Sequence, residues 1–161
     1  MATDDPIAYF ITWTVYGTYL QGDERFWTRR RQGEQIPQPR LMQWHQKRLK
    51  HPIVCLDEAQ RLTVNEVCGK HCERRHWKLW AVNARANHVH VVVTSRGKSG
   101  KQVRDELKAN ATRALREEWD VFRERPVWTT GGDWKCINSE DDLETICIYV
   151  KVAQDRMDRE K

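Results

Sequence analysis

The stretch that decides the fold is Trp77–Ser95, which reads WKLWAVN, ARA, NHVHVVVTS. Trp77–Asn83 is predicted to be a strand, and Asn87–Ser95, rich in valine, a second. Ala84, Arg85 and Ala86 form a tight link, so the two pair as an antiparallel hairpin. On a strand, residues i and i+2 point to the same face. His88 and His90 therefore project side by side, and the Val91–Val93 run behind them supports the strand.

Upstream, Ala8–Tyr16 (AYFITWTVY) is β-branched and aromatic and reads as a strand. Gly17 and Gly22 mark turns. Residues 21–52 form a long basic loop with Arg29, Arg30 and Arg31 early and Pro37 and Pro39 midway. So long a connection is uncommon in a compact domain and is often functional. Within it, Leu41–Lys50 suits a short helix carrying Lys47, Arg48 and Lys50. Leu56–His76 reads as a helix with Asp57 as N-cap. Its apolar stripe is Val64, Val67, Cys68, His71 and Cys72.

Downstream, Gly97–Gly100 is a polar turn. Gln102–Trp119 has a strong helical pattern through Val103, Leu107, Ala111, Ala114 and Leu115. Its exposed face is expected to carry Arg104, Lys108, Arg113 and Arg116. Val127–Ile137 reads as a short strand pair or irregular β segment. Ser139 with Asp142 opens a last helix, about Asp141 to Met157. The order β-α-β-β-α-β-α predicts an α+β fold: a single domain with a ferredoxin-like antiparallel sheet and helices packed mainly on one face. The domain is expected to fill residues 1–161, with its core at about 8–157.

The chain has 161 residues, which suits one domain. No apolar run approaches the ~20 residues of a membrane span, which excludes an integral helical membrane protein. The acidic start, MATDDP, has no apolar leader core, so the expected compartment is cytoplasmic. Five cysteines, an odd number and without Cys-x-x-Cys, argue against a disulfide framework. With 28 Lys+Arg against 23 Asp+Glu the net charge is +5. Eight tryptophans accompany that charge. Basic groups mixed with aromatics suit single-stranded nucleic acid, though most such rings pack in cores. Trp27, beside Arg29, Arg30 and Arg31, is placed to stack on a base while the arginines meet phosphates. Arg104 and Lys108 are the corresponding candidates on the later helix.

The chemistry-bearing residues start with His88 and His90, whose spacing lets both reach one divalent ion. A pair of half-buried histidines with no such role has the same pattern. Tyr149 stands midway along the last helix. An ordinary phenol ionises near pH 10 and is a weak nucleophile unless set against an activated electrophile. A metal on the histidines would polarise a phosphate oxygen and supply that activation. Gln154 offers an amide oxygen, a hard ligand suited to Mg²⁺ or Mn²⁺. Residues five apart, however, lie about 140° apart on a regular helix. Tyr149 and Gln154 share a face only if the helix is locally widened.

These residues resemble the HUH single-tyrosine transposases that act on single-stranded DNA. The resemblance is carried by Asn87–Val93 (NHVHVVV), one tyrosine on the downstream helix, and a nearby glutamine. Phe10–Arg25 (FITWTVYGTYLQGDER) and Trp128–Gly132 (WTTGG) add to it. It is nearest to the REP-associated tyrosine transposases and their insertion-sequence relatives, and covers about residues 8–155. It implies nicking and strand transfer near DNA hairpins through a covalent 5′-phosphotyrosine. Carried over, His88 and His90 are metal ligands, Tyr149 is the nucleophile, and Gln154 is the third ligand. In some relatives the amide sits four residues after the tyrosine, where Ala153 stands here. The implied cofactor is Mg²⁺ or Mn²⁺, and the implied partner is single-stranded DNA with hairpins. A homodimer is among the expected states, because insertion-sequence relatives exchange their tyrosine helices.

Other readings remain at this stage. A metal-dependent phosphoesterase is one, although the nucleotide hydrolases with alternating His-φ-His-φ-His would need histidine where Val92 stands. Replication initiators place a lysine three residues after the tyrosine, where Val152 stands here. A zinc module on Cys68, His71, Cys72 and His76 would draw all its ligands from one helix, a poor tetrahedron. A hairpin-binding descendant that no longer cuts is the last.

Overall fold

A computed structural model describes residues 5–18, 27–29, 33–35 and 38–153. Among the described residues there are six strands and four α-helices: β1 Ala8–Thr14, β2 Trp27–Arg29, β3 Gly33–Gln35, α1 Pro39–Lys47, α2 Glu58–Arg74, β4 Lys78–Ala84, β5 His88–Thr94, α3 Gly100–Glu118, β6 Asp133–Ile137 and α4 Glu140–Ile148. A short 3₁₀ turn, Asp120–Phe122, follows α3, and a π turn, Tyr149–Ala153, continues α4.

The main sheet has the order β4-β5-β1-β6 with every neighbouring pair antiparallel. Counting only its strands, this is the ferredoxin-like order 2-3-1-4. The hairpin register places Asn83 opposite His90, and His90 opposite Thr12 of β1. Thr12 in turn faces Asp133 of β6. One row of the sheet thus reads Asn83, His90, Thr12, Asp133.

The alternation of β1 and β5 sorts the core into two layers. Tyr9, Ile11, Trp13, Val89, Val91 and Val93 pack beneath α2 and α3 with Val64, Cys68, Val103, Leu107 and Leu115. Ala8, Val92, Ala81 and Ile137 pack on the opposite face with Leu143 and Val150. The two long helices cover one face, as expected, and α4 covers part of the other. A strand buried on both sides loses its polar alternation, which is why β5 contains an unbroken valine run. His88 and His90 lie on the α4 face, where the apolar cover stops.

Each helix start is locally encoded. Asp57 and Gln60 form a reciprocal capping box at α2, as do Ser99 and Gln102 at α3. Ser139 caps α4 by accepting from the Asp142 amide. The predicted Asp57 cap and Ser139–Asp142 signal are found where expected. The expected start of α3 at Gln102 moves to Gly100, because the Ser99–Gln102 box starts it earlier.

Two further expectations change. The 21–52 connection contains the β2–β3 hairpin and α1. The last helix does not run regularly to Met157: its α geometry gives way to the π turn at Tyr149.

Candidate functional site

His88 and His90 meet as the period of β5 requires, with ring centroids 4.6 Å apart. His88 Nδ1 lies 2.5 Å from Asn87 Oδ1, an acceptor, so the ring donates through that nitrogen. His90 Nδ1 is 2.8 Å from Thr12 Oγ1. Phe10 stacks on His90 at 5.4 Å between centroids and 22° between planes. Only 7% of His90 is exposed. A partner on Nδ1 fixes ring orientation, and Nε2 is the nitrogen that would then meet a metal. The donor set therefore fits a divalent ion held by two imidazoles. Among the described residues, no cluster of three His, Cys, Asp or Glu side chains could hold one alone.

Tyr149 comes to the same place from the other direction. Its ring centroid is 5.9 Å from that of His90. It lies 36% exposed, so substrate has access to it. Tyr149 ends α4 and begins the π turn. Val150, next in the chain, is fully buried against the sheet. Its carbonyl accepts a 2.8 Å hydrogen bond from Asn83 Nδ2.

A π turn closes i→i+5 hydrogen bonds and is found mostly as a single turn, frequently at functional sites. It is the local widening that a tyrosine and an amide five residues apart would need. Gln154 lies outside the described residues, as do Arg30 and Arg31. Trp27 and Arg29 are the first and last residues of β2.

Arg104 and Lys108 require a correction. They do not form an exposed face. Only 8% of Arg104 is exposed. It donates to the Gly132 carbonyl at 3.0 Å and to Asp105. Lys108 donates to the carbonyls of Thr129 at 3.0 Å and Gly131 at 2.6 Å. Burial pulls its pKa down, helped by the charge of Arg104. The helical pattern misled because the segment leading into β6 lies over this part of α3. The two cations hold the Thr129–Gly132 loop against the end of β1. Arg113 is exposed, and Arg116 is spent on the carbonyls of Phe122 and Arg125.

Of the zinc-module residues, Cys68, His71 and Cys72 are buried, whereas His76 is exposed, beyond the end of α2. Cys68 and Cys72 are buried beneath the sheet, and burial raises both thiols, Cys72 to about 11. A thiolate ligand is disfavoured there. His71 bonds Glu106 at 3.0 Å.

Thr12, Phe10, Asn87 and Asn83 were not singled out from the sequence. For Asn83 the reading pointed elsewhere: a link of Ala84–Ala86 would set it against Asn87, whereas the observed register, with Ala84 facing Val89, sets it against His90.

The family described as "Transposase IS200 like" matches residues 47–152. The chain belongs to the IS200-like transposase family. This assigns it to transposases, enzymes that cleave DNA. Among solved structures, it is similar to a REP-associated tyrosine transposase bound to a REP hairpin, at 14% identity and a TM-score of 0.57, over 98% of this chain and 73% of that one. It is also similar to a transposase from Deinococcus radiodurans R1, at 11% identity and a TM-score of 0.52, over 94% of this chain and 93% of that one. At these identities the likeness establishes the shared fold of the IS200-like chain. No curated protein matches it. Among its described residues, no helix is long and apolar enough to cross a membrane.

Proposed function

We propose that the chain nicks and rejoins single-stranded DNA at hairpin-associated sites, with Tyr149 as nucleophile and a Mg²⁺ or Mn²⁺ ion held by His88 and His90. The observation that carries this reading is the 5.9 Å approach of Tyr149 to His90, above a histidine pair oriented through Nδ1. Gln154 is the proposed third ligand. The widened turn at Tyr149 supports that reading, because residues five apart lie nearer one face of a π turn than of an α-helix.

Bound there, the metal supplies Lewis-acid polarisation of the scissile phosphate. Tyr149 Oη bonds to phosphorus and gives up its proton, and the bond to the 3′ oxygen breaks. That oxygen gains a proton and leaves as a 3′-hydroxyl. The tyrosyl ester on the 5′ phosphate keeps a phosphodiester, so another 3′-hydroxyl can displace the tyrosine without external energy. Thr12, Asn87 and Phe10 hold the imidazoles. Trp27, Arg29, Arg30 and Arg31 are the proposed base and phosphate contacts, suited by ring and charge. Arg104 and Lys108 act through the loop they clamp. The hairpin partner is supported by the fold shared with the transposase bound to a REP hairpin.

The test is a covalent-adduct assay. Labelled single-stranded hairpin oligonucleotides from the DNA flanking the gene are incubated with the chain and Mn²⁺, then run on a denaturing gel. A protease-sensitive shifted band that requires both metal and Tyr149 is the expected result. Cleavage without adduct would turn the reading to a metal phosphoesterase. Binding without either product would turn it to a hairpin-binding descendant.

A further inference from the structure

We propose that Asn83 is a positioning residue that latches the tyrosine turn over the histidine pair of the same chain. This rests on the reading of Tyr149 as nucleophile. The juxtaposition is specific. Asn83 sits directly opposite His90 in the β4–β5 ladder, and its Nδ2 donates to the Val150 carbonyl at 2.8 Å. One carboxamide thus joins β4, the strand paired with the one that presents the metal ligands, to the turn that presents the nucleophile.

The place of the bond in the backbone gives it its effect. Helix geometry changes from α to π at Tyr149, and Val150 is the next residue. The change of pattern alters which amides serve the carbonyls of this turn. A side-chain donor on the Val150 carbonyl stabilises that change. It also fixes the rotation of the turn, which decides where Tyr149 points. Val150 is fully buried in the layer formed with Ala81, Val92 and Leu143. Packing therefore holds the turn down, and Asn83 sets its register along the sheet. Tyr149 itself is 36% exposed, and Ile148 and Val152 near it are more exposed still.

A positioning role separates rate from binding. Asn83→Leu keeps the bulk and removes the donor. Asn83→Gln keeps a donor on a longer arm. In Asn83→Leu, adduct formation at saturating hairpin oligonucleotide should slow about 100-fold, the scale of an ångström-size misplacement. The Kd for that oligonucleotide and the melting temperature should stay near wild type. Amide hydrogen exchange within residues 149–153 should accelerate. Asn83→Gln should recover part of the rate. A wild-type rate in Asn83→Leu would overturn the proposal, as would parallel losses of rate, affinity and melting temperature. If the wild-type chain forms no adduct at all, the tyrosine reading fails. The exchange measurement then still decides the latch, which unchanged protection in Asn83→Leu would refute.

Discussion

The ring of Tyr149 lies 5.9 Å from that of His90 within a single chain, edge to face at 64°. A residue in β5 and one after α4, far apart in sequence, meet because α4 crosses the sheet face that β5 leaves uncovered at its histidine end. The nucleophile and metal ligands proposed here need no second copy of the chain to come together.

The sharpest consequence concerns the phenol oxygen alone. Tyr149→Phe keeps the ring and its edge contact with His90. It should lose adduct formation by more than about 1,000-fold, as removal of a covalent nucleophile does. Affinity for the same hairpin oligonucleotide should stay within about 2-fold. Gel-shift titration beside the adduct gel checks both. Retained cleavage in the variant would remove Tyr149 from the chemistry.

Thr12 gives a test of the histidine pair that leaves both imidazoles in place. Its hydroxyl is 2.8 Å from His90 Nδ1. Thr12→Val should weaken Mn²⁺ binding about 10-fold or more, the usual effect of losing a partner behind a ligand. His90→Ala should abolish metal-dependent cleavage with the fold retained. Calorimetric titration of Mn²⁺ into each variant reads the effect. Unchanged affinity in Thr12→Val would mean that His90 does not bind through the opposite nitrogen.

The Thr129–Gly132 loop should prove mechanically important. Lys108→Met leaves two carbonyls without their cation and should cost about 1–3 kcal/mol. Gly132 has φ +128°, and a Cβ there would come within 2.9 Å of the Thr12 carbonyl oxygen. Gly132→Ala should therefore destabilise by a similar amount, about 1–3 kcal/mol. Urea melts of the two variants check this. An exposed DNA-contacting lysine would instead melt like wild type and alter the salt dependence of binding.

What the sequence disclosed followed from period and capping. His88 and His90 were legible because a strand repeats every two residues, and the valines around them fixed the strand. The ferredoxin-like order was legible because strand and helix patterns alternate clearly from Leu56 onward. Arg104 and Lys108 were not, since a helical pattern says which face is polar but not what lies over it. The π turn was hidden for a related reason. Its stabilising donor, Asn83, comes from a strand some 65 residues earlier, and nothing local to Tyr149 announces it. The β2–β3 hairpin has three-residue strands, too short for alternation to register.

Thiol accessibility discriminates the core cysteines from a zinc site. Cys55 and Cys136 are exposed, whereas Cys68 and Cys72 are buried. In native protein a disulfide-exchange reagent should label the first two quickly and the buried pair only after unfolding. Rapid native labelling of Cys68 or Cys72 would contradict the packing. Co-purification of one zinc per chain, lost in Cys68→Ala, would restore the zinc reading.

The same burial makes stability fall at alkaline pH. Cys72 is raised from an ordinary 9.0 to about 11, and Cys68 further, chiefly by desolvation. An acid with its folded pKa above its unfolded one stabilises fully below the unfolded value. That contribution is lost as pH rises through the folded value, because the unfolded chain releases the proton first. The window therefore opens near pH 9 and reaches about 11 for Cys72. A shift of this size corresponds to about 3 kcal/mol for that thiol. Lys108 works in the opposite sense, since burial lowers its pKa and deprotonation favours the folded state. Urea midpoints between pH 7 and 10.5 should decline above pH 9, and Cys72→Ala should flatten the decline. An unchanged slope in that variant would mean that the Cys72 thiol ionises equally easily in the folded and unfolded chain.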